Sequence, residues 1–270
     1  MSTRLPETSD LVLEAKGSVL TIWLNRPQAK NALSAEMVDE LHAVLDAVRD
    51  DRAVRTLIIR GKGDVFCAGG DIKGFKSDLQ GGPPNEEDVA AGNRQFGDLM
   101  IKLNEQPQTV IMLVAGAAIG GGLGLASIGD VTIVTRSAKF RLSETSLGIP
   151  PAQIAPFVTE RVGLTQARRL MLTGARFSGE DAVRYGIAHI LAEDSADMEK
   201  QCDEVLQQIA LCAPCANAVT KSIVFEATRR ERGDALDYAA HGFARCMLSE
   251  EGREGVAAFV EKRKPAWAQD

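Results

Sequence analysis

The sequence predicts an α/β protein with mostly parallel strands, followed by a helical C-terminal region. Short apolar runs alternate three times with amphipathic helical patterns before residue 163, which is typical of a parallel sheet with crossover helices. Beyond that residue the strand signal fades. Of the 270 residues, 45% are hydrophobic and 25% are charged, which are ordinary values for a globular protein. We expect an α/β core over residues 1–205 and a helical region over residues 206–270.

The first predicted elements are a hairpin, a helix and a buried strand. Two apolar runs flank Gly17-Ser18, which suits a two-residue hairpin turn. Ser34 predicts the N-cap of a helix reaching Arg49, because its hydroxyl can accept from first-turn amides and apolar residues then recur at helical spacing. The apolar run 56–59 lies between charged ends and indicates a buried strand.

The middle of the chain continues the alternation. Glycines and prolines followed by acids predict a surface loop over 77–87. A helix carrying Phe96 comes next, then strands at 109–114 and 131–134 with a helix starting at Gly120 between them.

One stretch of this middle part has the length of a membrane span. Residues 110–129 include no charged residue. They also include six glycines, and a glycine inside a helix costs about 1 kcal/mol relative to alanine. A buried strand, a tight turn and a buried helix start fit the stretch better, so no membrane association is expected.

The C-terminal part is predicted to be helical. Ser178 and Asp181 have the spacing of a capping box, with Asp in place of the usual Glu. Residues 192–266 follow helical patterns almost throughout.

Charge and cysteine content narrow the class of protein. The chain has 31 Lys and Arg against 37 Asp and Glu, a net charge of −6, which offers no general attraction to nucleic acid. Five cysteines, and a polar opening segment unlike an Arg-rich transit peptide, predict a reducing, cytoplasmic setting.

Several common catalytic centres are not indicated. His42, His189 and His241 have no cysteine or carboxylate at metal-ligand spacing, so no metal site is expected. Cys212 and Cys215 have thioredoxin-like spacing but do not follow a strand within a βαβ unit. The serine-hydrolase elbow, the phosphate loop and the dinucleotide fingerprint do not match the sequence.

Two glycine-rich turns and one acid are the candidate functional residues. The turns, at 68–71 and 116–122, each follow a strand-like run, and their unobstructed amides could form an oxyanion hole. Tight packing without any ligand is the alternative. Glu144 lies at the edge of an apolar stretch, where burial would raise its pKa and suit acid–base catalysis. A solvated surface acid is the alternative for this residue.

These motifs together resemble the crotonase superfamily of enoyl-CoA hydratases and isomerases. Four segments match in order: LNRP with NAL at 24–33, FCAGGDI at 66–72, GAAIGGG at 116–122 and FVEKRK at 259–264. The resemblance covers nearly the whole chain. It implies a spiral of ββα units, C-terminal helices that form a homotrimer or a dimer of trimers, and an acyl-CoA substrate with no further cofactor.

The resemblance also implies roles for particular residues. The backbone N–H groups of Gly70 and Gly121 would bind the thioester oxygen, and Glu144 would transfer protons. The residues implied to contact coenzyme A are Arg26, Ala68, Asp71, Ile72 and Lys73, with Phe259 and Lys262 reaching in from a neighbouring subunit.

The sequence departs from the best-known hydratases of this family. Those members carry two glutamates, and this chain has Gly124 where the first would stand, while Glu144 aligns with the second. The resemblance does not favour the dehalogenases of the superfamily, because they carry an aspartate where this chain has Ala152. The string at 143–158 resembles the branch hydrating methylglutaconyl-CoA and isohexenylglutaconyl-CoA in leucine and acyclic-terpene catabolism, and 120–126 favours the isohexenyl member.

Three functions remain open from the sequence. The first is hydration of a branched glutaconyl-type CoA thioester by a single glutamate. The second is a Δ3,Δ2-enoyl-CoA isomerase in which Glu144 moves a proton between C2 and C4. The third is a non-enzymatic protein of the same fold that binds RNA or acts as a scaffold, which the acidic net charge disfavours.

Overall fold

The computed structural model describes residues 4–71 and 85–268. The strands are β1 (Leu11–Lys16), β2 (Val19–Leu24), β3 (Thr56–Gly61), β4 (Val65–Cys67), β5 (Thr109–Val114), β6 (Ala117–Ile119), β7 (Val131–Thr135), β8 (Lys139–Arg141), β9 (Arg176–Ser178) and β10 (Ile190–Ala192). The helices are α1 (Ala35–Val48), α2 (Glu86–Asn104), α3 (Gly121–Ser127), α4 (Ala155–Thr173), α5 (Gly179–Arg184), α6 (Ser195–Ala210), α7 (Pro214–Arg229), α8 (Arg232–Leu248) and α9 (Glu250–Val260).

The strands form two sheets that grow together along the chain. The larger sheet has the order β1-β2-β3-β5-β7-β10 and the smaller one β4-β6-β8-β9. Three times in succession the chain adds a strand to the larger sheet, adds the next strand to the smaller sheet, and continues to a helix. This repeat is the spiral of ββα units, so the α/β prediction is confirmed.

The pairing within the sheets follows the hydrophobic pattern. β1 and β2 form the predicted antiparallel hairpin, with Leu11 opposite Leu24. From β2 to β10 the larger sheet is parallel. Its central strands read as continuous apolar runs because both faces are covered, and Leu57, Ile59 and Met112 are almost fully buried.

The helix starts also agree with the sequence. The Ser34 hydroxyl accepts from the amide of Met37 at the start of α1. At α5 the Ser178 and Asp181 side chains and backbone amides bond reciprocally, which confirms the capping box with aspartate in the third position. The predicted loop over 77–87 is too long at its end, because α2 begins at Glu86 behind an Asn85 N-cap. The rest of that loop, up to residue 84, lies outside the described residues.

The sequence reasoning missed three short strands in the second half, β8, β9 and β10, and also β6, which lies within the predicted turn 116–122. β9 pairs with β8, and β10 pairs with β7, although the strand signal fades after Gly163. β10 also takes Ala192 from the stretch predicted to be helical. Three residues are too few to show alternation, so these strands depend on partners that are distant in sequence.

The stretch 110–129 folds as β5, β6 and α3. Over the described ranges, no single helix has the length and apolar composition to cross a membrane. One pair, α6 and α7, bent by 101° at its junction, meets those criteria together by length and composition only.

The C-terminal helices are attached to the core unequally. α6 packs Met198, Cys202 and Val205 against the larger sheet. This helix continues past residue 205, where the division between the α/β core and the helical region was expected, and that division stays a prediction. α7 is tied to the core by the Lys221 ammonium, which lies 2.7 Å from a carboxylate oxygen of Asp130. Within the described chain, no residue of α7 is buried and α8 buries Gly242 alone. These two helices therefore leave much of their surface uncovered.

Candidate active site

The smaller sheet brings three strand ends together. Its strands β4, β6 and β8 are parallel neighbours, so their carboxyl ends lie along one edge. Gly70 follows β4, Gly121 follows β6 and Glu144 follows β8. Ligand sites of parallel α/β sheets lie at this edge. The topology therefore gathers the three predicted catalytic residues from separate parts of the sequence.

The amide of Gly70 is oriented by the pairing of two loop segments. The Leu33 amide donates to the Gly69 carbonyl at 2.8 Å, and the Asp71 amide donates to the Leu33 carbonyl at 3.1 Å. Together these bonds form a parallel bridge between Leu33 and Gly70. In such a bridge the peptide groups on either side of the paired residue are used, so the N–H of Gly70 points away from Leu33. Gly70 is exposed, so a ligand can reach this amide.

The second amide lies beside the first turn. Gly121 is the first residue of α3, and its N–H is among the first four of a helix, which have no acceptor within it. A Cβ on Gly69 would lie only 3.2 Å from the Gly121 nitrogen. Gly69 also has a φ of +91°, which glycine adopts without strain. Glycine at this position thus allows the turn before Gly70 to touch the start of α3.

Glu144 faces the same place from the third strand end. It opens a short 3₁₀ turn, Glu144–Leu147, directly after β8. A Cβ on Gly120 would lie 2.7 Å from its Oε1, so the carboxyl group packs against the backbone just before Gly121. Burial raises the pKa of Glu144, although nearby backbone amides partly offset this. Its Oε2 is buried and has no hydrogen-bond partner among the described residues. Such an atom is suited to receive a hydrogen bond from a ligand or water.

At position 124, where the two-glutamate hydratases carry their first glutamate, neighbouring side chains leave no room for a side chain. Gly124 is buried inside α3, and a Cβ there would lie 2.3 Å from Cγ2 of Ile154. Ile154 is itself 3% exposed, and the Met100 side chain lies just beyond. The volume that a side chain at position 124 would need is therefore filled by Ile154. The site is built with Glu144 and without a second acid at position 124.

Arg26 and Asp71 lie together, as the sequence did not foresee. Nη1 of Arg26 lies 3.0 Å from Oδ2 of Asp71, and its Nε lies 3.3 Å from Oδ2 of Asp10. Ala68 is half-buried, and its amide donates to the Lys30 carbonyl. The three residues are thus close to Gly70, and their contact with coenzyme A stays a prediction.

Of the other four residues predicted to bind coenzyme A, the structure describes only Phe259 and Lys262. Ile72 and Lys73 lie outside the described residues. Phe259 lies in the last turn of α9 and is 85% exposed, and Lys262 lies two residues beyond the end of that helix. An aromatic side chain that is so exposed is available to a second molecule.

The structure adds residues that the sequence did not single out for the site. Leu33 and Phe96 flank Gly121, since a Cβ there would lie 3.3 and 3.4 Å from their side-chain atoms. Phe96 was seen in the sequence only as an apolar position of α2. Ile154 carried no signal beyond its hydrophobicity, because its contact with Gly124 joins two segments 30 residues apart.

The structure also places three of the candidates set aside from the sequence, His189, Cys212 and Cys215. The His189 Nδ1 accepts from the Thr132 amide at 2.9 Å. Cys212 and Cys215 are free thiols, Cys212 between α6 and α7 and Cys215 in the first turn of α7. Burial raises the pKa of Cys67, which lies beneath the turn before Gly70, to about 12. Among the described residues, no group of three or more His, Cys, Asp or Glu side chains could hold a metal ion.

The sequence matches a family of known enzymes over most of its length. Residues 14–270 match the family model described as enoyl-CoA hydratase/isomerase. The chain is 35% identical over 248 residues to a "probable enoyl-CoA hydratase" of Bacillus subtilis, covering 92% of this chain and 94% of that protein.

Solved structures with the same fold were also found. AtuE of Pseudomonas aeruginosa has a TM-score of 0.93 and 51% identity over 97% of this chain and all of that one. An enoyl-CoA hydratase/isomerase from Marinobacter aquaeolei has a TM-score of 0.92 and 42% identity, over 96% of this chain and 99% of that one.

The ββα spiral, with a site at the carboxyl edge of its smaller sheet, defines an enzyme of the crotonase fold class. More specifically, the chain belongs to the enoyl-CoA hydratase/isomerase family.

The packing at position 124 can be tested by stability. We expect Gly124→Ala to lower the free energy of unfolding by about 1–3 kcal/mol, because the added methyl group overpacks against Ile154. In the Ile154→Ala background the same change should be neutral or stabilising. Gly92→Ala in α2, where a Cβ would touch nothing, is the control and should stabilise by roughly 0.5–1 kcal/mol. Equal effects of Gly124→Ala in both backgrounds, measured by urea unfolding, would contradict the packing.

Because Glu144 is partly buried, we expect the difference in stability between the wild-type protein and Glu144→Gln to depend on pH. A carboxyl pKa raised on folding gives stability that is complete below the unfolded-state pKa and is lost as the pH rises through the folded-state pKa. Relative to Glu144→Gln, the wild-type protein should therefore lose stability as the pH increases above 4.5. Urea unfolding of both proteins over a pH series measures this difference. A difference that does not change with pH would show that the carboxyl group is not desolvated.

Proposed function

We propose that this protein is an enoyl-CoA hydratase that adds water across the 2,3 double bond of its substrate, with Glu144 as its single acid–base group. One observation carries the proposal. The half-buried Glu144 carboxyl group, with its unpartnered Oε2, packs against Gly120 at the start of the helix that presents the Gly121 amide. A proton-transfer group and an oxyanion donor are thus adjacent.

The proposed mechanism uses these groups in turn. The Gly70 and Gly121 amides donate hydrogen bonds to the thioester oxygen, which becomes negative as the enolate forms. Fixed amides stabilise that charge without reorganising, and a single donor typically contributes about 2.7–4 kcal/mol. Water adds its oxygen to C3 while the Glu144 carboxylate takes its proton. The enolate then collapses and C2 receives a proton from Glu144, which returns to the carboxylate. No cofactor besides the coenzyme A of the substrate is needed.

The raised pKa of Glu144 suits this double role. A carboxyl group with a pKa above its usual range is a stronger base as the carboxylate and still a competent acid when protonated. Ile154 closes position 124, so in this proposal the same group must first accept the proton and then donate it.

For the substrate we propose a branched glutaconyl-type CoA thioester, either isohexenylglutaconyl-CoA or 3-methylglutaconyl-CoA. Support comes from the string at 143–158 and from its departure from two-glutamate members. A cytoplasmic location is proposed with it, and the free state of all five cysteines agrees with a reducing compartment.

A Δ3,Δ2-enoyl-CoA isomerase is the second candidate. The observation in its favour is the same single carboxyl group, because moving a proton between C2 and C4 requires one base and no second acid. The oxygen of water distinguishes the two reactions, since only hydration places it in the product.

A panel of acyl-CoA substrates tests the reaction. The panel holds crotonyl-CoA, 3-methylglutaconyl-CoA, isohexenylglutaconyl-CoA and a 3-enoyl-CoA, and the products are weighed after reaction in oxygen-labelled water. We expect one branched glutaconyl thioester to gain one labelled water most rapidly. Glu144→Gln should lower kcat by roughly 10²–10⁴-fold, the usual contribution of a general acid–base group.

Other outcomes of the panel would decide against hydration. A double-bond shift without labelled oxygen would favour the isomerase. Near-normal turnover by the Glu144→Gln protein would remove Glu144 from the mechanism. Binding of RNA without turnover of any thioester would favour the non-enzymatic alternative.

We propose further that the protein forms a homotrimer or a dimer of trimers through its C-terminal helices. Large apolar side chains are exposed along α8 and α9, namely Phe243, Leu248, Phe259 and Val260, at 69%, 74%, 85% and 72%. A second copy of the chain is the proposed occupant of this surface. That packing would bring Phe259 and Lys262 to the coenzyme A of a neighbouring subunit.

The assembly can be measured by light scattering. We expect a particle of three or six times the 29.0 kDa chain. Phe243→Glu should shift the protein towards monomers, because a buried unpaired charge is costly, whereas Phe243→Leu should keep the assembly. A wild-type protein that is monomeric at micromolar concentration would contradict the proposed trimer.

A further inference from the structure

The outer face of the smaller sheet carries three positive charges close together. β8 and β9 are antiparallel neighbours, and their register places Arg141 directly opposite Arg176. Phe140 and Phe177 are also opposite each other, and their buried rings stack with centroids 5.3 Å apart. Because successive side chains of a strand point to opposite faces, the two arginines lie on the outer face together with Lys139. Lys139, Arg141 and Arg176 are the cationic cluster.

The facing pair of arginines is by itself unfavourable for the sheet. Side chains directly opposite each other on antiparallel strands are close neighbours, and like charges in such a pair are destabilising. Arg141 bonds to two neutral acceptors, the Gly174 carbonyl and the Ser146 hydroxyl. Neither Lys139 nor Arg176 forms an ion pair with another described residue. The sheet therefore holds three cations together without an acid bonded to any of them.

The cationic cluster lines a cavity. Ala117 and Ile119 of β6 lie on the same face, opposite Lys139 and Arg141, and add an apolar part to the lining. The cavity has a volume of about 780 Å³, within the range of about 300–1,000 Å³ that is typical of small-molecule sites. None of the three residues proposed for catalysis lines it. Because the cations line a concave surface, a small anion suits them better than the surface of another protein.

The other charged groups around this cavity have partners of their own. The Arg136 guanidinium lies 2.7 Å from a carboxylate oxygen of Glu193 and 3.1 Å from one of Glu180. The Asp181 carboxylate lies 2.5 Å from Nη2 of Arg184. These five groups together carry one net negative charge, which is less than the charge of the cationic cluster. The region therefore stays positive.

We propose that the cationic cluster binds the phosphate groups of a small molecule, and that its ligand class is a diphosphate. A phosphate between Arg141 and Arg176 replaces their mutual repulsion by two attractions. Arginine suits this role because its planar group can donate two parallel hydrogen bonds to phosphate oxygens. A diphosphate offers two groups of oxygens to the cations of two adjacent strands. The site is separate from the candidate active site and does not depend on the proposed function.

Arg141 is already oriented for such a ligand. Its Nε donates to the Gly174 carbonyl at 3.0 Å, and its Nη2 lies 3.4 Å from the Ser146 hydroxyl oxygen. An arginine has five N–H donors, so these two bonds leave further donors for a ligand. Fixing a side chain before binding reduces the entropy that is lost when the ligand is bound.

Calorimetric titration tests the site. Inorganic pyrophosphate and ADP are titrated separately into the wild-type protein, at low ionic strength and without divalent cations. We expect pyrophosphate to bind, with an affinity that falls as salt is added, because exposed charges are screened. Tighter binding of ADP would identify a nucleotide as the source of the diphosphate, and equal binding would identify the diphosphate alone. If neither compound binds at millimolar concentration, the proposal is wrong.

Variants of the cationic cluster locate the binding. Arg176→Gln should weaken pyrophosphate binding by about 10–100-fold, the usual effect of losing hydrogen bonds to a charged group. Lys139→Gln should weaken it as well. Arg176→Lys should have an intermediate affinity, because lysine keeps the charge but lacks the planar fork. Unchanged binding by Arg176→Gln would place the pyrophosphate elsewhere and overturn the proposal.

Arg168→Gln is the matched control. Arg168 is an exposed arginine of α4 that forms no ion pair with another described residue. Its substitution changes the net charge of the protein by the same amount and should leave pyrophosphate binding unchanged. An equal loss of affinity in Arg168→Gln and Arg176→Gln would show a general effect of charge and would contradict a site at the cationic cluster.

Urea unfolding provides a second measurement. Without ligand, Arg176→Gln should be at least as stable as the wild-type protein, because the like-charge pair is removed. Pyrophosphate should raise the unfolding midpoint of the wild-type protein, since a ligand that binds only the folded state stabilises it. The midpoint of Arg176→Gln should rise less. Equal increases in the two proteins would count against the proposal.

Light scattering examines the alternative occupant, an acidic surface of a second copy of the chain. We expect Arg176→Glu to keep the oligomeric state of the wild-type protein while losing pyrophosphate binding. If this variant dissociates, and the wild-type protein binds neither pyrophosphate nor ADP, the cationic cluster is an interface between copies and the proposed diphosphate site is wrong.

Discussion

The parallel pairing of β4, β6 and β8 is the constraint on which the site depends. Each strand has only three residues, yet each is followed within three residues by one member of the site, Gly70, Gly121 or Glu144. Neighbouring strands of a sheet lie about 4.8 Å apart, so residues just beyond their ends must be close to one another. The ββα repeat produces this arrangement, because each turn of the spiral adds one strand to the smaller sheet and one loop to its carboxyl edge.

Close approach of backbone at that edge explains why glycine is needed there. Gly69 lies against the nitrogen of Gly121, and Gly120 lies against the carboxyl group of Glu144. Side chains at either position would push the two amides and the carboxyl group apart. The same close packing desolvates Glu144 and so raises its pKa. The geometry and the acidity of the site therefore have one origin.

Much of the fold was predictable because its signals are local. The hairpin at Gly17, the caps at Ser34 and Ser178 and the apolar strands of the larger sheet follow from neighbouring residues. β6, β8, β9 and β10 were not predictable, because three-residue strands have no period of their own and are formed by their partners. For the site, the glycine turns and Glu144 were found from composition and resemblance. The contacts of Arg26 and Ile154 join residues far apart in sequence and left no local sign.

The sequence by itself determined the family, the positions of the glycine turns and the absence of an acid at position 124, since these are properties of single residues and short motifs. Only the tertiary structure decided that Ile154 occupies the space beside Gly124 and that Asp71 is paired with Arg26. The desolvation of the Glu144 carboxyl group was likewise decided by packing, although its place at an apolar edge had suggested it. The burial of a side chain, the space around it and the pairing of its charge depend on which distant segments come into contact, and those contacts form only in the folded ββα spiral.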